Sequence, residues 1–211
     1  MTKILVLYYS SYGHTSAMAE AVAQGVREGG AEAVIRHVPE TAPEEVAKNA
    51  GFTGMPGHDE IDGPDELAEY DGIIVGSPTR YGRMTSQMAA FWDTTGGLWM
   101  KGALIGKVGA AFTSTGGMHS GNEMTLLNLL LPFLQHGMIL AGVPHSVPAL
   151  VHTRSGGSPY GASAVTGFNG TLGVDEGEQA IAQALGARVA RLAGQVIPEP
   201  ASVDLAAGGQ H

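Results

Sequence analysis

Apolar positions in this chain fall into two kinds of stretch that alternate. Short apolar runs occupy Ile4–Tyr9, Gly72–Gly76, Val108–Thr113 and Met138–Val143, and Ala33–Val38, interrupted by Arg36 and His37, reads as the second strand in chain order. Runs of this length without polar interruption suit parallel strands buried on both faces. Between them, apolar residues recur at helical spacing. Ala17, Met18, Ala21, Val22, Gly25 and Val26 mark the first such stretch, which Gly29-Gly30 closes. Thr85–Thr94 carries Met88, Phe91 and Trp92 on one side, and Gly121–Gln135 is longer and more apolar. Asp175–Gly194 places Ile181, Leu185, Val189 and Leu192 on one face. Pro43–Ala50 reads as a short helix with an early proline, and Pro64–Tyr70 as a helical turn.

Two stretches break the alternation. Gly51–Gly63 is polar and rich in glycine and reads as a mobile loop. Pro144–Val174 has no periodicity and forms a long insertion after the fifth strand. Unstructured segments of that length are usually functional or part of an interface, so this one is expected to pack on neighbouring subunits and to wall a site. The pattern predicts an α/β fold, a doubly wound five-stranded parallel sheet of order 2-1-3-4-5. Residues 1–197 would form a single domain and 198–211 a loose tail. In such a sheet a ligand sits at the carboxyl ends of strands one, three and four.

Composition narrows the function classes. With 211 residues and 44% apolar content, the chain can bury a large core. The net charge of −9 argues against a nucleic-acid partner. The chain has no cysteine, so thiol catalysis and disulfides are out. It enters a strand at its start without a signal pattern, and a cytoplasmic location is expected. The longest apolar run, Leu126–Leu134, contains Asn128 and Pro132 and is too short for a membrane span. The histidines show no metal-ligand spacing, and no metal site is expected.

Candidate chemistry lies in the turns that leave strands one, three and four. The first, Ser10-Ser11-Tyr12-Gly13-His14-Thr15, is rich in hydroxyls and opens a helix. Free N–H groups of that helix, with the hydroxyls of Ser10, Ser11, Thr15 and Ser16, would cradle a phosphate without a lysine. The same residues also suit an ordinary capped turn. It is neither a dinucleotide G-x-G-x-x-G turn nor a P-loop. The second turn runs Pro78-Thr79-Arg80-Tyr81-Gly82, and the third Ser114-Thr115-Gly116-Gly117-Met118-His119-Ser120. Their glycines allow close approach to a flat ligand, and Arg80 could supply positive charge.

K-I-L-V-L-Y-Y-S-S-Y-G-H-T, V-P-E-T, G-S-P-T-R-Y-G, D-T-T-G-G-L-W, S-T-G-G-M-H-S-G-N-E and S-G-G-S-P-Y-G-A together resemble one family. It is the WrbA family of flavodoxin-like proteins, first named tryptophan-repressor-binding proteins and also called type IV NAD(P)H:quinone oxidoreductases. The resemblance runs from Lys3 to about Leu192. It implies an FMN-dependent enzyme, usually a homotetramer, that reduces quinones by two electrons in ping-pong fashion with NADH or NADPH. It implies that Ser10 to Thr15 hold the FMN phosphate and that Tyr12 also meets the nicotinamide nucleotide. Thr79, Arg80 and Tyr81 would line the isoalloxazine, with Ser114 to Ser120 as its other wall. Trp99 would face the quinone and His136 would close the pocket near the ring. The rival readings are a one-electron flavodoxin-like carrier and a protein-binding modulator of a transcription regulator.

Overall fold

The computed structural model describes residues 1–55 and 57–196. The tail expected from residue 198 onward therefore lies outside the described residues. In chain order the elements are β1 (Lys3–Tyr8), α1 (His14–Glu28), β2 (Glu32–His37), α2 (Glu44–Asn49), β3 (Asp59–Glu60), a 3-10 turn (Pro64–Glu69), β4 (Gly72–Pro78), α3 (Ser86–Asp93), α4 (Gly96–Met100), β5 (Val108–Thr115), α5 (Asn122–Gln135), β6 (Ile139–Leu140), α6 (Pro148–His152), β7 (Ala162–Val165) and α7 (Glu176–Ala193).

The sheet is parallel throughout, with β1 between β2 and β4, and β5 beyond β4. Strand alternation sends its side chains into two cores. Ile4, Val6 and Tyr8 point to the side covered by α1 and α7. Leu5, Leu7 and Tyr9 point to the side where Met88, Phe91 and Trp92 of α3 meet Leu129 and Phe133 of α5. Helices α1 and α7 run in the same direction and touch through glycines. A Cβ on Gly186 would strike the backbone of Val22, and one on Gly25 the backbone of Gln183.

The five-stranded expectation is corrected in detail, because among the described residues the sheet has seven strands. The stretch read as a glycine loop contributes β3, whose residues Asp59 and Glu60 pair with Arg36 and His37 on the outer edge of β2. The fifth strand, expected over Met138–Val143, is only Ile139–Leu140 and pairs with Val108 and Gly109. The chain then leaves the sheet, and β7 from the inserted segment pairs with Phe112 to Thr115. One edge of β5 is thus completed by two short pieces, because eight residues of β5 offer more open backbone groups than β6 can satisfy. Among the described residues no helix is long and apolar enough to cross a membrane.

Candidate active site

The carboxyl ends of β1, β4 and β5 converge on a cleft of about 500 Å³. Tyr12 and His14 enter it from the first turn, Pro78, Thr79 and Arg80 from the second, and Ser114, Thr115 and Gly116 from the third. The fourth wall is Thr166 to Gly170, directly after β7.

The first turn ends in a helix start that its own side chains do not cap. Gly13 stands at the N-cap in the left-handed region, φ +86°, with no side chain to accept a bond. Among the described residues, the N–H groups of His14, Thr15 and Ser16 have no protein acceptor. These donors, with the positive end of the helix dipole, form a ready anion site. Ser10 and Thr15 are buried beside them. The Gly13 N–H donates to Ser10 Oγ at 3.0 Å, and Thr15 Oγ1 meets Ser114 Oγ at 2.8 Å, which ties the first turn to the third. Tyr12 stacks edge-on against Phe52 and donates to the Ala50 carbonyl, so the loop after α2 braces the turn from outside.

The second turn is a tight hairpin. Arg80 and Arg83 bond each other's backbones, with Tyr81 (φ +56°) and Gly82 (φ +79°) at the tip. Both tip residues have the positive φ that such a turn demands. Tyr81 is held there although it is not glycine, and its ring is fully exposed beside the cleft. Arg80 turns inward. Its Nη1 donates to the Thr79 carbonyl at 2.9 Å and its Nη2 to Ser11 Oγ at 2.9 Å. Ser11 donates onward to the Tyr9 hydroxyl, which donates to Glu40 at 2.5 Å. Burial and the bond to Glu40 push the Tyr9 phenol up to about 12. Burial alone would raise Glu40, but bonds from Tyr9, Ala42, Gln87 and Thr41 outweigh it and hold its carboxyl below the usual value.

The third turn begins with Thr115 donating to the Gly117 carbonyl at 2.9 Å. Over Gly116 and Gly117 lies the Phe168 ring. A Cβ on Gly117 would stand 3.0 Å from Phe168 Cζ, so a side chain there would push the exposed ring aside by a few tenths of an ångström. Phe168 is otherwise 91% exposed, a large apolar ring at the rim of a polar cleft. Its wall is anchored from behind by Glu178, which is fully buried. Glu178 Oε1 accepts from the Val165 N–H at 2.8 Å, the Gly156 N–H at 2.9 Å and Ser155 Oγ at 2.6 Å. Its Oε2 accepts from the Asp175 N–H at 3.0 Å, completing a capping box at the start of α7.

Sequence reading and structure overlap unevenly here. Tyr12, His14, Pro78, Thr79, Arg80, Ser114, Thr115 and Gly116 meet at the cleft. Tyr81, Gly82, Gly117, Met118, His119 and Ser120 belong to the same turns but do not line it. Trp99 and His136 are placed elsewhere. Trp99 Nε1 donates to the Gln135 carbonyl, and His136 Nε2 pairs with Thr95 Oγ1 at 3.0 Å, at the far end of α5. Burial lowers the His136 pKa, which favours the neutral ring. Fourteen helical residues separate this corner from the start of α5 beside the cleft, about 21 Å of helix. Residues 166–170 were not named from the sequence, although T-G-F-N-G-T, a lone aromatic between glycines, was the available signal.

The cleft suits a planar phosphate ester. The chain holds 20 acidic and 11 basic residues. Among the described residues no acidic side chain lines the cleft, whereas Arg80 and His14 do. Free amide donors and small hydroxyls at the start of α1 suit an anionic group, and the glycine backbones of the third turn suit the approach of a flat one.

A sequence model described as flavodoxin matches residues 6–133. An NAD(P)H dehydrogenase (quinone) of Gluconacetobacter diazotrophicus is 52% identical over 198 residues, 93% of this chain and 99% of that protein. A protein of the same name from Rhizobium rhizogenes is 48% identical over 199 residues, 93% of this chain and all of that protein. The crystal structure of a flavodoxin, WrbA-like protein from Agrobacterium tumefaciens superposes with a TM-score of 0.66 at 27% identity, covering 92% of this chain and 99% of that one.

Proposed function

The chain belongs to the flavodoxin family, in the WrbA branch with relatives named NAD(P)H dehydrogenase (quinone), and from that premise we propose that it is an FMN-dependent NAD(P)H:quinone oxidoreductase. The observation that carries the cofactor assignment is the uncapped start of α1, whose three first N–H groups have no acceptor among the described residues, beside a cleft that no described acidic residue lines. Bound there, FMN supplies the hydride-accepting and two-electron-donating chemistry that the side chains lack.

The chain's own residues bind and orient. The amides of His14, Thr15 and Ser16 and the hydroxyls of Ser10 and Thr15 hold the phosphate. Arg80, fixed at both Nη atoms, presents positive charge to the ring's electron-rich side. The Gly116 backbone and the Phe168 ring bound the slot. One slot beside the flavin then serves nicotinamide and quinone in turn, and the kinetics are ping-pong.

The protein works as a homotetramer in this reading. Met124, Leu127, Leu131 and Leu134 form an exposed apolar stripe along α5, and Trp99 and Met100 adjoin its far end. A surface of that kind marks an interface. Packing of copies through it brings the Trp99 and His136 corner of one subunit to the cleft of another, where Trp99 faces the quinone and His136 closes the pocket.

The test is direct. Purified protein should be yellow, and NADH or NADPH oxidation with benzoquinone should give parallel double-reciprocal lines. Intersecting lines would sink the shared slot, and protein that takes up no FMN would sink the cofactor assignment. A monomer by light scattering at micromolar concentration that retains full activity would remove the intersubunit roles.

A further inference from the structure

The hydroxyl of Ser11 sits in the phosphate turn, yet its surroundings assign it other work. Arg80 has only donors, and an ionised carboxylate has only acceptors. Two hydroxyls in series between such ends can point only one way. Arg80 Nη2 donates to Ser11 Oγ at 2.9 Å, Ser11 donates to Tyr9 at 3.4 Å, and Tyr9 donates to Glu40 Oε2 at 2.5 Å. The raised Tyr9 pKa and the lowered Glu40 pKa keep both in the protonation states that this direction needs. Ser11 therefore has no proton left for an anion, and it is 2% exposed. Glu40 is fixed in turn by Gln87 Nε2 at 2.6 Å and the Ala42 N–H at 2.8 Å. The chain of bonds joins the segments after β2, β1 and β4, and each link polarises the next.

We propose that Glu40 and Tyr9 are positioning residues that act through Ser11 to aim the Arg80 guanidinium into the cleft, and that Ser11 is a relay and not a phosphate ligand. Glu40 lies outside the cleft and touches neither ring nor phosphate in this assignment. What the relay controls is the direction of the positive charge lining the cleft, and hence the affinity for the ring portion of the ligand. The inference rests on the FMN assignment only for its binding readout.

Ligand-free protein is titrated with FMN and with riboflavin, following the quenching of flavin fluorescence. Ser11→Ala, Tyr9→Phe and Glu40→Ala should each weaken both ligands by the same factor, about fivefold, the ratio that one net hydrogen bond is worth. None should weaken either ligand further once Arg80→Ala is present, whereas a merely structural defect would persist. Loss of FMN affinity with riboflavin unchanged in Ser11→Ala would make that hydroxyl a phosphate donor and overturn the proposal. So would Tyr9→Phe and Glu40→Ala that match the wild type. The relay is also read without flavin. In thermal unfolding of the ligand-free protein, Glu40→Ala and Arg80→Ala together should lower Tm by less than the sum of the single losses, and strict additivity would overturn it. If the wild type binds neither flavin while this coupling persists, the relay stands and the FMN assignment falls.

Discussion

Helices α1 and α7 lie side by side, run in the same direction and begin at the same end of the sheet, yet they treat their first turns in opposite ways. At α7, Asp175 accepts from the Glu178 N–H at 2.8 Å and Glu178 returns a bond to the Asp175 N–H, so the helix start is closed by its own side chains. At α1, Gly13 offers nothing and, among the described residues, three N–H groups are left without an acceptor beside the cleft that His14 lines. The difference separates two uses of one element. A capped start spends its donors on stability, and the surplus of Glu178 reaches further, to Val165 and the wall at 166–170. A bare start keeps its donors for a ligand, and its stability must come from packing against α7.

The strongest way to break this contrast is to remove the capped side. Glu178→Ala leaves four donors without their acceptor, the buried Gly156 N–H among them, and should cost roughly 3 kcal/mol, read as a fall in the urea midpoint, with FMN affinity falling too because the Phe168 wall loosens. If affinity is unchanged, the wall is anchored by something else. Gly186→Ala attacks the seam on which the bare helix depends, since a Cβ there meets the Val22 backbone; the expected loss is about 1–3 kcal/mol in denaturant unfolding.

Thr15→Ala should sharpen the contrast in the other direction. Stability should change by about 1 kcal/mol, while FMN affinity drops and riboflavin affinity stays nearly level. Equal losses for both ligands would place the phosphate elsewhere. A smaller effect belongs to the corner far from the cleft. Burial depresses the folded pKa of His136 below the ordinary 6.5, so its contribution to stability is present above pH 6.5 and is lost as pH falls through the folded value. Replacing His136 by Asn should flatten that part of the stability profile, and unchanged quinone turnover in the same variant would remove it from the active site.

The alternation of runs and periodic stretches placed β1, β2, β4, β5 and their helices within a few residues, and the hydroxyl-rich turn after β1 was visible because its residues are contiguous. Asp175 was read as the start of the last helix and is its N-cap. The insertion 144–174 is expected to wall a site, but the pattern does not single out 166–170 within it, because Val165 is strand only through its pairing with Thr115 and its bond to Glu178, neither of which leaves a period in the local sequence. The fifth strand was overextended for a similar reason. Met138–Val143 is apolar enough for a strand, but after Ala141 its bonds pass from β5 to the Pro159 carbonyl, which accepts from the Val143 N–H and packs against Gly142.

By itself, then, the amino-acid pattern determined the layer architecture and the position of the anion turn, because both follow from periodicity and from neighbours in the chain. Tertiary structure alone decided which short segments complete the edge of β5. It also decided that Phe168 stands over two glycines, and that Ser11 faces an arginine 69 residues away and not the cleft. Those outcomes turn on single contacts between distant positions, where a hydroxyl has one proton to give and geometry chooses its acceptor.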